Sequence, residues 1–391
     1  MARIGIYGGA FNPPHTGHIR AAEFAVQALN LEKLLLIPSC TSPHKPLPAG
    51  SAEPEQRLAM TKLWAGKKME VCDIELSRGG TSYTYETVEQ LKTRYPQDEL
   101  VLFMGTDMFL SFHTWKEPER ILRCVSLAVF YRGDKNEQAA ISEKQQEYER
   151  AGHRVYLVEN PVTEISSTQM RRMLVFGCAE PFLDSKVSCY IQENGLYATG
   201  ENYKNLPMDK LEKVVVDLLN PNRVKHVLGC RDTAADLAKV WGADVTDAAR
   251  AGLLHDITKA LDGPLQLTLC REYGKVLDEF SESNPKTLHA LTGSMVAERI
   301  FGENEAVAKA IESHTTGKPA MNTLEKIIYV ADYMEPNRDF PGVEELRRLA
   351  YTDLDGALKL GLEMTLAMLR QQKRQISPAS SQALAYLEKK G

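Results

Sequence analysis

The hydrophobic rhythm of this 391-residue chain changes near residue 200, and that change constrains its fold more than any other feature. Before it, the short apolar runs Ile4–Tyr7, Leu34–Ile37, Leu100–Met104, Leu127–Tyr131 and Val155–Val158 alternate with amphipathic stretches. Strands that alternate with helices predict a parallel sheet in an α/β domain. After the polar stretch 198–205, apolar residues recur at i, i+3 and i+4 through Leu211–Leu219, Val224–Trp241, Ala248–Leu261, Leu288–Phe301, Thr323–Tyr333 and Leu354–Arg370. That spacing predicts an all-α helical bundle. Two unlike domains are expected, 1–200 and 206–391, each of ordinary size for an independent core.

Composition removes several classes of function. With 43% hydrophobic and 25% charged residues, the chain is neither a disordered nor a fibrous protein. Its formal net charge of -5 is shared evenly by the two halves, so neither has the basic surplus of a nucleic-acid binder. The seven cysteines are odd in number, scattered and without a C-x-x-C pair, which fits a reducing cytoplasm better than a disulfide framework or a zinc ribbon. No apolar run approaches the roughly 20 residues that span a bilayer. The N-terminus leads from Met-Ala-Arg straight into a strand-like segment, so neither a membrane nor an export role is expected.

In the first half, the strand Ile4–Tyr7 runs into Gly8-Gly9-Ala10-Phe11-Asn12-Pro13-Pro14-His15-Thr16-Gly17-His18 and then into a helical pattern. At such a junction, backbone N–H groups and the positive end of a helix dipole can face an anion, and small residues let phosphates approach the backbone. His15 and His18 add two side-chain donors, although an isolated H-x-x-H could equally be a packed turn. The whole string resembles the G-G-x-F-x-P-x-H-x-G-H signature of the HIGH-type nucleotidyltransferases, and more closely the bacterial nicotinate-nucleotide adenylyltransferases. Ile165-Ser166-Ser167-Thr168-Gln169-Met170-Arg171 matches that family's I-S-S-T-x-I-R, with an apolar exchange at Met170. The three hydroxyls can cap the helix that carries Arg171, which gathers donors on one polyphosphate.

The resemblance implies a Rossmann-like fold and attack of a mononucleotide phosphate on the α-phosphorus of ATP, with Mg²⁺ accompanying the ATP. His15, His18, Lys45 and Arg171 would align and neutralise the two anions. Gly8, Gly9, Ala10, Phe11, Ser166, Ser167 and Thr168 would hold the nucleotide, together with Gly105 and Asp107 and with Arg132 at the end of another strand. The acceptor would meet His44 in Ser42-Pro43-His44-Lys45, Thr81, Tyr83 and Thr84 in a Thr-Ser-Tyr-Thr segment, and the face of Trp115. Taken singly, these segments also read as a turn, an N-cap and a core indole, Asp107 as a cap and Arg132 as a solvated cation.

The second half holds four histidines, His226, His255, His289 and His314, together with Asp256 and Asp332. Adjacent helical residues point about 100° apart, so His255 and Asp256 could share an ion only over the edge between them. A lone His-Asp pair is usually structural, but six such groups on successive helices point to metal. The set resembles the HD-domain metal phosphohydrolases, and specifically the bacterial subfamily that cleaves diadenosine tetraphosphate symmetrically. By that resemblance His226, His255, Asp256 and Asp332 hold one divalent ion, and Asp256, His289 and His314 a second. Nitrogen and oxygen donors without sulfur suit iron or manganese, with iron the expected ion. Lys259, Arg231 and Arg338 would meet phosphate, although the spacing of Lys259 equally fits a surface lysine, and Arg223 reads as a solvated cation.

The chain is therefore expected to be a bifunctional enzyme acting on ATP with nicotinate mononucleotide and on diadenosine tetraphosphate. The alternative is an adenylyltransferase for another acceptor, with the helical half acting as a nucleotide sensor. A homodimer is the base-rate expectation for association.

Overall fold

The computed structural model describes residues 2–43, 47–131, 135–159 and 165–390. The chain forms two compact units, Met1–Gly200 and Glu201–Gly391. In the first, strands β1 (Arg3–Gly9), β2 (Lys33–Pro38), β3 (Met69–Val71), β4 (Glu99–Gly105), β5 (Ser126–Tyr131) and β6 (Val155–Glu159) form one sheet in the order β3-β2-β1-β4-β5-β6. Every neighbouring pair is parallel. One face buries Ile4, Ile6, Leu35, Ile37, Leu100, Leu102, Leu127 and Val129 against Val88, Leu91 and Ile121 from flanking helices. The other face buries Leu34, Leu36, Val101, Phe103 and Ala128. Coverage on both faces explains why these strands read as continuous apolar runs and not as alternating ones.

The chain builds outward from β1 through β2 to β3, then returns to the other side of β1 to lay down β4. At such a reversal the two adjoining loops diverge and leave a crevice beyond the strand ends. Gly9 ends β1 and Gly105 ends β4, and the register that pairs Ile6 with Leu102 carries both glycines to that same edge. The glycine-rich turn and the Gly105–Asp107 segment thereby flank one crevice.

The second unit is helical, and one of the helices read from the sequence is shorter there. The helix expected over 248–261 ends early: it spans Val245–Leu254, with His255 as its C-cap. Beyond it, Ile257, Lys259 and Leu261 donate their N–H groups to Leu254, Asp256 and Thr258, three residues back, so the chain winds more tightly than an α-helix. The periodicity continued because Ile257, Thr258 and Leu261 are buried, not because they are helical. In the first unit β3 went unread, since Met-Glu-Val is a three-residue edge strand, too short for a pattern. Among the described residues no helix is long and apolar enough to cross a membrane.

Leu35 is fully buried in the sheet. Leu35→Ala should cost about 2–5 kcal/mol. In scanning calorimetry this lowers the transition of the first unit and leaves that of the second in place.

Candidate active sites

In the glycine-rich turn, carbonyl groups are tied back into the protein. The Gly9 oxygen accepts from the Ser39 N–H at 3.0 Å, Ala10 from Arg57 Nη1 at 2.8 Å, Asn12 from Arg171 Nη1 at 2.7 Å and Pro13 from Ser167 Oγ at 3.3 Å. A trans peptide sets its N–H opposite its C=O. Fixing the Gly9 and Ala10 carbonyls therefore turns the N–H groups of Ala10 and Phe11 away from Ser39 and Arg57, as a phosphate cradle requires. Asn12 braces the turn from its other side: its Nδ2 donates to Ser51 Oγ at 2.7 Å, and its Oδ1 accepts from the Ala52 N–H.

The helix Thr16–Ala28 starts from His15 as its N-cap. The backbone N–H of His15 donates to His18 Nδ1 at 3.3 Å, which leaves the proton of a neutral His18 on Nε2 as a donor. The two rings lie 3.7 Å apart between centroids, and among the described residues neither nitrogen of the His15 ring has a hydrogen-bond partner. Burial, reinforced by His18, lowers the His15 pKa to about 2, and burial lowers that of His18 to about 4. Both rings are neutral at pH 7.

Ser166 caps the helix Ser167–Val175 by accepting from the Gln169 N–H, and Thr168 Oγ1 accepts from Arg171 Nη2 at 3.1 Å. Ser167 and Arg171 thus meet the glycine turn directly. Gly105 caps the short helix Thr106–Leu110, with Asp107 exposed in its first turn. The segments at 40–41 and 81–82 are joined by a Thr41–Thr81 bridge, and Ser82 Oγ accepts from the Cys40 N–H. Tyr83 caps the helix Thr84–Arg94 and carries Lys116 Nζ 3.9 Å from its ring centroid. Trp115 is half-buried and packs on Phe112, 5.2 Å between centroids. His44, Lys45 and Arg132 lie outside the described residues.

In the second unit the six expected donors converge. His226 lies on the helix Val224–Trp241, His289 on Leu288–Arg299 and Asp332 on Thr323–Met334. His255 and His314 cap the C-termini of Val245–Leu254 and Glu305–Ser313. Asp256 stands between two pairs of rings. Its Oδ2 lies 3.7 Å from His226 Nε2 and 3.5 Å from His255 Nε2, and its Oδ1 lies 3.5 Å from His289 Nε2 and 3.8 Å from His314 Nε2. Asp332 Oδ1 reaches His226 Nε2 at 3.2 Å and His255 Nε2 at 3.8 Å.

The far side of each ring shows that this donor set fits a divalent cation. Nδ1 of His255, His289 and His314 meets the carbonyl oxygens of Gly252, Lys286 and Ile311 at 2.7, 2.9 and 2.6 Å, and Nδ1 of His226 meets Glu335 Oε1 at 3.1 Å. These oxygens can only accept, so Nδ1 carries the proton and every Nε2 presents a lone pair inward. His226 Nε2 and His255 Nε2 face each other at 3.2 Å, a lone-pair contact that a cation relieves. Burial lowers the His255 pKa to about 4, and burial with Lys259 lowers that of His289 to about 3, so both rings stay neutral as ligands must. For Asp256 and Asp332 burial alone would raise the pKa. The surrounding imidazoles and cations outweigh it and hold both carboxyls well below the usual range.

Cations rim this centre. Lys259 Nζ lies 2.8 Å from His289 Nε2, and Arg338 Nη2 lies 2.6 Å from Asp332 Oδ1. Arg223 is not the solvated cation of the sequence reading: three residues before His226, it pairs with Asp256. Arg231 departs from its expected role. It lies about 140° round the helix from His226, and its guanidinium is taken up by Glu212 and Asp232. Two buried residues were given no role in the sequence reading, Glu335 behind His226 and Arg57 behind the glycine turn. What each does is set by its three-dimensional neighbours.

Residues 6–173 match the cytidylyltransferase-like family, and residues 223–337 match the HD domain. The chain is 42% identical over 170 residues to a Halalkalibacterium halodurans protein named "Bis(5'-nucleosyl)-tetraphosphatase, symmetrical", covering 43% of this chain and 90% of that one. It is 37% identical over 217 residues to a Desulfatibacillum aliphaticivorans protein named "Probable nicotinate-nucleotide adenylyltransferase", covering 50% of this chain and 99% of that one. A Mycoplasma pneumoniae protein named "Probable nicotinate-nucleotide adenylyltransferase/Ap4A hydrolase" is 28% identical over 378 residues, covering 93% of this chain and 98% of its own.

Two outcomes follow from these geometries. The unfolded chain takes up protons on His15 and His18 near pH 6.5, whereas the folded chain resists until about pH 4. The first unit should therefore lose stability as pH falls from 6.5 to 4 and be level above 7. His18→Gln should flatten part of that slope in thermal melts, and a flat wild-type profile would refute the assignment. In the second unit, Glu335→Gln should weaken divalent-metal affinity about 10- to 100-fold, read by competition with a chelator.

Proposed function

We propose that this chain, which belongs both to the nicotinate-nucleotide adenylyltransferases and to the symmetrical bis(5'-nucleosyl)-tetraphosphatases of the HD-domain class, is a bifunctional enzyme. Its first unit transfers AMP from ATP to nicotinate mononucleotide, giving deamido-NAD and pyrophosphate. Its second unit hydrolyses diadenosine tetraphosphate to two ADP. The observation that supports this most is the geometry of Asp256, one carboxylate shared between two pairs of inward-facing imidazoles.

In the transfer reaction, a phosphate oxygen of the mononucleotide bonds to the α-phosphorus of ATP as the bond to the β-phosphate breaks. The attacking phosphate is already ionised, so no general base is required. The chain's task is to hold two anions in line and to stabilise the charge gathering on the bridging oxygen. The N–H groups of Ala10 and Phe11, the Nε2–H of His18 and the Arg171 guanidinium supply donors for this, with His15, Lys45 and Arg132 as further contacts and Mg²⁺ accompanying the ATP. Thr81, Tyr83, Thr84, Trp115 and His44 receive the acceptor.

In the hydrolytic unit His226, His255, Asp256 and Asp332 would hold one divalent ion, with Asp256, His289 and His314 suited to a second, and iron is the proposed metal. When bound, the metal supplies Lewis acidity for phosphoryl transfer to water at neutral pH. The protein keeps the rings neutral, orients His226 through Glu335 and brings Lys259 and Arg338 to the phosphate chain. A complete donor set with three cations, Lys259, Arg338 and Arg223, at its rim favours turnover over sensing alone.

Product analysis of the full-length protein tests both halves. ATP with nicotinate mononucleotide should yield deamido-NAD and pyrophosphate, and diadenosine tetraphosphate with added iron or manganese should yield ADP without ATP or AMP. Asp256→Asn should lower hydrolysis by at least about a hundredfold and spare adenylyl transfer. His18→Ala should do the reverse, on the scale of about 10²- to 10³-fold for losing one transition-state donor.

A further inference from the structure

Arg57 is fully buried, on the first turn of the helix Pro54–Trp64. A cation there opposes the helix dipole, and its guanidinium has been taken entirely out of water, so both its charge and its position are unfavourable on local grounds. Its hydrogen bonds end on uncharged backbone oxygens of three separate segments. Nε donates to Ala52 at 3.3 Å, Nη1 to Ala10 at 2.8 Å and Nη2 to Cys40 at 3.0 Å. Ala10 lies in the glycine-rich turn. Cys40 lies two residues before Ser42, where the proposed acceptor segment begins, and its own N–H is held by Ser82 of the partner segment. A single planar group therefore ties the loop after β1 to the loop after β2.

We propose that Arg57 is a positioning residue of the adenylyltransferase site, setting the spacing between the turn that cradles the ATP phosphates and the paired segments 40–41 and 81–82, of which Thr81 is a proposed acceptor contact. The inference rests on the adenylyltransferase reading above. Holding the Ala10 carbonyl turns the Phe11 N–H away from Arg57, and holding the Cys40 carbonyl likewise directs the Thr41 N–H to the opposite side of its peptide. In-line attack depends on the mutual placement of two bound anions, and misplacement by about an ångström costs on the order of a hundredfold in rate. The planar fork of arginine reaches carbonyls in three directions from fixed positions, whereas a lysine ammonium offers the same charge from one atom and cannot span them.

The test uses the full-length chain, with diadenosine tetraphosphate hydrolysis as an internal control of active protein. Arg57→Lys, assayed well below its melting temperature, should lower kcat for deamido-NAD formation tenfold or more while both KM values change less than threefold. Hydrolysis should be unchanged. Arg57→Ala should recover at least fivefold in rate with added guanidinium ion and not with methylammonium. Wild-type kcat in Arg57→Lys would overturn the proposal, as would a loss matched by an equal loss of the first unit's calorimetric transition. If Arg57→Ala does not fold, the lysine variant alone decides. A wild-type protein that forms no deamido-NAD would instead overturn the adenylyltransferase reading itself.

Discussion

A buried hydrogen-bonding atom without a partner costs roughly 1–3 kcal/mol, and the two units of this chain concentrate that cost with opposite sign. In the first unit the carbonyl oxygens of Gly9, Ala10, Asn12 and Pro13 are bound by protein donors, so what the glycine turn still offers is N–H. Guanidinium groups stand behind it. In the second unit the Nδ1 atoms are engaged, so what the cluster offers is imidazole lone pairs and carboxylate oxygens. A surplus of donors calls for an anion and a surplus of acceptors for a cation. Each half thus acquires its ligand class from backbone and side-chain bonds made on the side facing away from the ligand.

Much of this cluster of acceptors rests on a local device used three times. His255, His289 and His314 each bond through Nδ1 to the carbonyl of the residue three positions earlier, Gly252, Lys286 and Ile311. A helix end or helix start that exposes such a carbonyl sets the tautomer without any tertiary contact. Tertiary packing then has only to bring the ends together. His226 lies inside the helix Val224–Trp241 and relies on Glu335 from a different part of the chain, which makes it the ligand most dependent on distant packing.

This division explains what could be read from residues alone. The sheet was legible because strands buried on both faces are written as apolar runs, and the glycine turn because its chemistry demands an unbroken string. The six clustered acceptors were legible because histidine is scarce, and four histidines fall in one half beside Asp256 and Asp332. The end of the helix at Leu254 was hidden because burial persists through the tighter turns that follow it. The roles of Glu335 and Arg57 were hidden for another reason: each acts on a residue far away in the chain, and no spacing records that. Arg231 went astray through the converse error, since nearness to His226 in sequence placed it on a different face, where Glu212 and Asp232 take it up.

The same side chain thereby serves two chemistries, and one hydrogen bond decides which. His18 accepts at Nδ1 from a backbone N–H, so its proton sits on Nε2 and the ring meets its surroundings as a donor, suited to phosphate oxygen. The histidines of the second unit donate from Nδ1, so Nε2 meets its surroundings as a lone pair, suited to a cation. Burial keeps His15, His18, His255 and His289 neutral at pH 7, the condition under which this choice has meaning. A protonated ring would donate from both nitrogens and could not bind metal at all. Desolvation thus fixes the charge, and the bond at Nδ1 fixes the direction in which the remaining polarity points.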